Sequence, residues 1–164
     1  MSELRVGLGV DAHALVAGQP LVLGGVEIAS ARGLAGHSDG DVIAHALIDA
    51  VLGAAGLGDI GSLFPSSEGR WEGVSSLELL RGAAAEVRAA GCEVVNADCL
   101  LIGEEPRIAP LREQMRDRLA EACGVERGRV NVRATTTDRL GFTGRGEGLA
   151  AEAVALVRRS SGDS

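Results

Sequence analysis

Two short stretches hold all three histidines of this 164-residue chain. "VDAH" sets Asp11 and His13 two positions apart, and on a strand such neighbours project to the same face. "GHSDGDVIAHALIDA" carries His37 and His45, with Asp39, Asp41 and Asp49 in the same window. On a helix, Asp41, His45 and Asp49 are spaced i, i+4, i+8 and share one face, which is expected to be polar and available. An Asp-x-His pair from a strand and a His from a helix make a three-ligand set with a fourth position open, as in catalytic zinc sites. Taken singly, each histidine also reads as a hydrogen-bonded core residue. Together, beside acids at ligand spacing, they point to a metal. His37 precedes the helix, where free amides favour an anion. With Ser38 it could hold a phosphate, or simply belong to a capping loop.

"ATTTDRLGFTGRGEG" (134–148) is the second unusual stretch. Its glycines let backbone approach a ligand closely. Arg145 offers a bidentate fork for phosphate, and Asp138 beside a diphosphate could hold magnesium through oxygen ligands. The alternative is a Gly-rich turn with a surface arginine. "GEEPRIAPL" (103–111) precedes a helix. Its backbone could read a base edge and Arg107 could reach a phosphate, or it is a Pro-punctuated turn.

Composition narrows the partners. The net charge of −7 and an aromatic content of 2% argue against non-specific nucleic-acid binding and against stacking platforms for single strands. The chain has no lysine, so phosphate contacts fall to Arg, backbone amides or metal. Cys92, Cys99 and Cys123 are scattered, without CxxC spacing, and read as reduced, buried small hydrophobes. No apolar run approaches the roughly 20 residues that span a bilayer. The charged N-terminus does not resemble a signal peptide, so a cytoplasmic protein is expected.

The elements that must position these residues follow from periodicity. Residues 5–13 alternate at strand period, and 21–28 read as a hairpin around Gly24-Gly25. A helix is expected over 39–55, capped by Ser38 or Asp39 and stopped by Gly56. Asp39 and Asp41 read as cap and helix-start acids. Asp49 either supports a ligand imidazole or is solvated. Residues 57–75 read as a long loop, followed by helix 76–90, strand 92–103, a helix from Pro110 to Cys123, strand 129–137 and a helix over 147–159. The expected fold is a single α+β domain over 1–159, a mixed sheet with helices packed on one face, with a frayed tail at 160–164.

The motifs "DAH", "GHSDGDVIAHALIDAVLGAAGLGDIGSLFP" and "ATTTDRLGFTGRGEGLAAEAVAL" resemble those of the 2-C-methyl-D-erythritol 2,4-cyclodiphosphate synthases of non-mevalonate isoprenoid synthesis. The resemblance covers nearly the whole chain. It implies zinc, or another divalent cation, on Asp11, His13 and His45. It implies transition-state roles for His37 and Thr136, a substrate contact at Ser38, and magnesium or manganese held at Asp138 through the diphosphate. Asp59, Ile60 and Gly61 would meet the erythritol portion, with Phe64 and the following loop nearby. The cytidine pocket would be lined by Gly103, Pro106, Arg107, Ile108, Ala109, Ala134 and Thr135, and Phe142 and Arg145 would contact substrate from the "GFTGRG" turn. The implied assembly is a homotrimer with sheets facing the threefold axis and each active site shared by two subunits.

Three departures stand out. Leu8 and Val10 replace a His and an aromatic that, in related proteins, face a cavity on the trimer axis. Ser66 replaces a carboxylate in "FPSSE", which weakens that loop's contact or passes it to Glu68. Arg107 and Arg139 replace lysines. The implied reaction is intramolecular: the substrate's 2-phosphate attacks the β-phosphorus of its CDP group and CMP leaves. The rivals are a metal-dependent phosphohydrolase and a non-catalytic trimer that binds CDP or isoprenoid ligands.

Overall fold

A computed structural model describes residues 2–161. The long strand β1 (Glu3–Ala17) lies antiparallel to β7 (Gly148–Arg159), paired from Glu3↔Arg159 to Ala14↔Gly148. On the far side of β7 lies β5 (Cys92–Ile102), also antiparallel, with a bulge at Val94/Asn96. The parallel strand β6 (Val130–Thr135) forms one edge, and β4 (Arg32–Leu34) pairs with the end of β1 at the other. The order is therefore β4-β1-β7-β5-β6, a mixed sheet. A separate hairpin joins β2 (Leu21–Leu23) to β3 (Val26–Ile28). Its turn residues Gly24 and Gly25 have φ of 56° and 76°, as a type I′ turn requires.

Three helices cover one face: α1 (Val42–Ala55), α3 (Ser76–Ala89) and α4 (Arg112–Cys123). Alternation along β1 explains the sidedness. Gly7 and Gly9 point under α1, while Val6, Leu8 and Val10 point away and stay exposed. A Cβ on Gly7 would lie 2.0 Å from the Ala50 carbonyl oxygen, and one on Gly9 1.9 Å from that of Ala46. Only glycine lets the helix sit this close. Ala151, Ala153 and Ala155 of β7 continue the small-residue floor. Buried on nearly all sides, α1 is a central core helix. Its C-terminal carbonyls are met by Arg5 at Ala54 (2.8 Å) and Arg159 at Ala55 (3.0 Å).

Several expectations need correction. The helix expected over 147–159 is strand β7. "LAAEAVALVRR" is alanine-rich and reads as helix by propensity. Its burial alternates at period two, and pairing with β1 and β5 makes it the central strand. Helix α1 begins at Val42, not 39: Asp41 is its N-cap and accepts from the Ala44 amide. The long loop contains α2 (Ile60–Leu63) and a 3-10 turn at Gly69–Trp71. The Gly-rich turn before β7 contains α5 (Gly141–Gly144). Of the tail expected at 160–164, residues 162–164 lie outside the described residues, and the Ser160 amide donates to the Gly91 carbonyl (3.1 Å). All three cysteines are free and buried, and burial pushes the Cys123 thiol up to about 12. Among the described residues no helix is long and apolar enough to cross a membrane.

Candidate active site and metal centre

The close approach of β1 and α1 brings Asp11, His13 and His45 together. Asp11 Oδ2 lies 2.7 Å from His13 Nε2 and 3.0 Å from His45 Nδ1, and the two nitrogens are 3.1 Å apart. Donor atoms around a tetrahedral zinc, with bonds of roughly 2.0–2.2 Å, stand about 3.3 Å from one another. The trio is therefore a converged donor set that needs only a slight opening to hold a divalent ion. Among the described residues it is the one group of three metal-ligating side chains that meets this way. Burial works against the Asp11 charge, but hydrogen bonds from His13 and His45 outweigh it and hold the carboxyl down at about 2. The same bond to Asp11 raises His13 above its usual value, against the effect of burial.

The trio opens into a cleft of about 400 Å³ that also meets His37, Ser38, Ile60, Gly61, Phe64 and Trp71. Asp59 caps α2 through a reciprocal capping box with Ser62, which presents Ile60 and Gly61 to the cleft. Phe64 and Trp71 stack edge to face at 5.0 Å on its far wall. Ser66 lines the same cleft, while Glu68, on the neighbouring turn, is engaged by Arg70 at 2.6 Å.

The polar face expected on α1 does not exist as such. Asp41 is fully buried and accepts from the amides of Gly24 (2.9 Å), Gly25 (2.7 Å) and Ala44 (3.1 Å). It ties the β2–β3 turn to the start of α1, and burial pushes its carboxyl up to about 6 despite these donors. Among the described residues Asp49 makes no hydrogen bond to His13 or His45. Its carboxylate accepts from the Ile60 amide at 2.7 Å and pins α2 beside the candidate metal site. Asp39 caps α3 rather than α1: its carboxylate accepts from the Ser76 amide at 3.0 Å.

A second, larger cleft of about 890 Å³ gathers Arg32, Glu104, Pro106, Arg107, Arg139 and Arg145. It holds part of the expected cytidine segment. Ile108 is core, 2% exposed, so it offers a ligand only backbone. Gly103 donates to the Thr135 carbonyl (3.0 Å), which keeps the segment against the end of β6. Ala109 begins a 3-10 turn, and Ala134, Thr135 and Thr136 are exposed at and just past the end of β6. Asp138 and Arg139 both take positive φ, 52° and 64°. Asp138 is exposed, so a cation there must draw further ligands from a substrate. Phe142 is 43% exposed on α5, and Arg145 forks onto Glu147 at 2.8 Å. The residues that sequence reasoning missed are Trp71 and Ser76. Trp71 was legible only as the single tryptophan of a Gly-rich loop, and nothing near Ser76 in the chain advertises it.

An open Asp–His–His set between a mixed sheet and a helix, in a chain with a separate arginine-lined cleft, is the equipment of a metal-assisted phosphoryl-transfer enzyme. The YgbB family model matches residues 4–158, and the chain belongs to that family. It is 57% identical over 165 residues to the 2-C-methyl-D-erythritol 2,4-cyclodiphosphate synthase of Rubrobacter xylanophilus, covering 99% of each chain. Among solved structures, the bifunctional IspDF of Campylobacter jejuni superposes with a TM-score of 0.93 at 40% identity, covering 98% of this chain and 44% of that one. The Plasmodium falciparum IspF, solved as a CDP complex, gives 0.83 at 28% identity, covering 96% and 97%. The activity is that of a cyclodiphosphate synthase, a phosphorus–oxygen lyase of isoprenoid biosynthesis.

Proposed function

We propose that the substrate is 4-diphosphocytidyl-2-C-methyl-D-erythritol 2-phosphate. The products are then 2-C-methyl-D-erythritol 2,4-cyclodiphosphate and CMP. The observation that carries this reading is the convergence of Asp11, His13 and His45 at one end of a cleft sized for a phosphorylated polyol. An oxygen of the 2-phosphate forms a bond to the β-phosphorus, and the bond from that phosphorus to the oxygen bridging the α-phosphate breaks. CMP leaves with the bridging oxygen. The nucleophile is already ionised at neutral pH, so the site needs no strong base. Its task is to bend a flexible polyanion into line and to offset repulsion between its phosphates.

Asp11, His13 and His45 would hold zinc or another divalent cation, and Asp138 would share magnesium or manganese with the diphosphate. Such cations, when bound, supply Lewis-acid charge to phosphate oxygens. Ser38 and the Asp59–Gly61 segment orient the erythritol, with Phe64 as an apolar wall. Glu68 reaches substrate only by leaving Arg70. His37 and Thr136 donate to the transferring phosphoryl group. Gly103, Pro106, Arg107, Ile108 and Ala109 frame the cytidine together with Ala134 and Thr135, the backbone acting at Ile108. Phe142 and Arg145 complete the diphosphate end, Arg145 by exchanging Glu147 for phosphate.

The metal cleft and the cytidine segment line different clefts of one chain. The sheet face opposite the helices exposes Leu4, Val6, Leu8 and Val10 at 57–69%. Both features support a homotrimer over residues 1–159, with the sheets facing the threefold axis and each site completed by a neighbouring subunit.

The test is phosphorus NMR of the protein with this substrate and Mg²⁺, with and without a zinc chelator. Cyclic diphosphate and CMP, lost on chelation, are expected. Linear phosphates would mean a hydrolase. Unchanged substrate on a metal-loaded trimer would mean a binding protein.

A further inference from the structure

We infer that Ser76, held by Asp39, is a positioning residue that sets the ring of His45 for metal binding. The inference rests on the reading of Asp11, His13 and His45 as a metal site. Within that trio His45 presents Nδ1, the atom 3.0 Å from Asp11 and 3.1 Å from His13. A metal takes the Nδ1 lone pair, so the ring proton must then reside on Nε2.

Two hydroxyls face Nε2, each at 2.9 Å: Ser38 Oγ and Ser76 Oγ. They lie 3.2 Å from one another but differ in surroundings. Ser38 lines the cleft and is only partly buried, so it can turn towards a substrate. Ser76 is fully buried as the first residue of α3. Its hydroxyl is bonded to Asp39 Oδ1, and its own amide donates to Asp39 Oδ2 at 3.0 Å.

Asp39 is in turn fixed from both sides. It accepts from the Asp41 amide (3.1 Å), and its amide donates to the Val74 carbonyl (3.2 Å). A carboxylate only accepts, so the Ser76 hydroxyl proton points at Asp39. The Ser76 oxygen is left as an acceptor, and it accepts from His45 Nε2–H. The chain of donors runs from His45 through Ser76 to Asp39 in one direction. When a metal takes Nδ1, this chain holds the Nε2 proton and fixes the ring plane towards Asp11 and His13. Ser76 touches neither cleft nor metal and acts only through His45.

Zinc affinity, measured by competition with a fluorescent chelator on the full chain, tests this together with nitrogen-15 NMR of the His45 ring. Wild-type protein is expected to bind zinc and, once loaded, to show a slowly exchanging, hydrogen-bonded Nε2–H on His45. Ser76→Ala is expected to weaken zinc binding 10- to 100-fold and to speed exchange of that proton. Ser38→Ala should keep both properties. Melting curves show whether each variant is folded, and Asp39→Asn, which disturbs the relay from its other end, should also weaken zinc binding. Unchanged affinity and unchanged exchange of the Nε2 proton in folded Ser76→Ala would overturn the inference. So would an equal loss in Ser38→Ala. A wild-type protein that binds no zinc would overturn the metal-site reading, and this inference with it.

Discussion

The two ring nitrogens of His45 have separate partners, Asp11 and His13 at Nδ1 and serine hydroxyls at Nε2. Replacing the ring removes a metal donor outright. His45→Ala should therefore cost more metal affinity than the 10- to 100-fold typical of an outer partner, and abolish turnover while the chain stays folded. Chelator competition and a melting curve check this. His13 gives a pH signature. Its hydrogen bond to Asp11 raises it above 6.5 in the folded, metal-free chain. The folded state then holds this proton more tightly than the unfolded state. The resulting stability is complete below 6.5 and lost as pH rises through the raised value. A metal needs the ring neutral, so its stabilisation grows over the same interval. Melting temperatures with chelator and with zinc should therefore diverge as pH rises. The difference between the curves cancels groups the metal does not touch, such as Asp41. Parallel curves would show that His13 is not a ligand. The trio was legible in the sequence because histidines are scarce here and Asp11-x-His13 is a local pattern. The Asp39–Ser76–His45 relay was not, because its bonds span 31 and 37 positions and exist only once α3 meets α1.

At the scale of elements, the candidate metal site depends on how closely α1 lies on β1. Gly9 precedes Asp11 by two residues, and Ala46 follows His45 directly. Gly9→Ala would force its Cβ into the Ala46 carbonyl, a backbone atom that cannot turn aside. The helix must lift, at a cost of about 3 kcal/mol. Because the same lift parts His45 from Asp11, zinc affinity should fall along with the denaturation midpoint. A variant that loses stability but keeps full zinc affinity would show that the contact serves packing alone. This glycine pattern also explains what was read correctly and what was not. Val6, Leu8 and Val10 alternating with Gly7 and Gly9 announced a strand. In β7 the inward positions are Ala151, Ala153 and Ala155, and alanine beside the outward Ala150, Val154 and Leu156 carries little contrast between faces. Helix propensity then outweighed an alternation whose polar members are Glu152 and Arg158. The demand for a small-residue floor under α1, which selects alanine there, is a tertiary requirement that no window of β7 contains.

For the whole molecule, the sheet leaves one face uncovered. Leu4, Val6, Leu8 and Val10 of β1 and Val154 of β7 form an exposed apolar patch on the side away from the helices, of the kind that marks an interface. If three such faces meet on an axis, and each active site joins the metal cleft of one subunit to the cytidine segment of the next, two different lesions can complement each other. His45→Ala damages the metal half and Thr136→Ala the other half. Each alone should be nearly inactive. Co-expressed in equal amounts and assembled at random, the two chains should form some sites in which both contributing halves are intact. About one site in four qualifies, since each half is sound with a chance of one in two. Activity should therefore recover to roughly a quarter of wild type, and Val6→Glu in both chains, which charges the shared face, should abolish the recovery by separating the subunits. Were each site contained in a single chain, every subunit would carry one lesion and mixing would restore nothing. The size of the recovery, read as CMP released per chain, thus decides whether the two clefts seen on one subunit work together or are joined only across the boundary with a second copy.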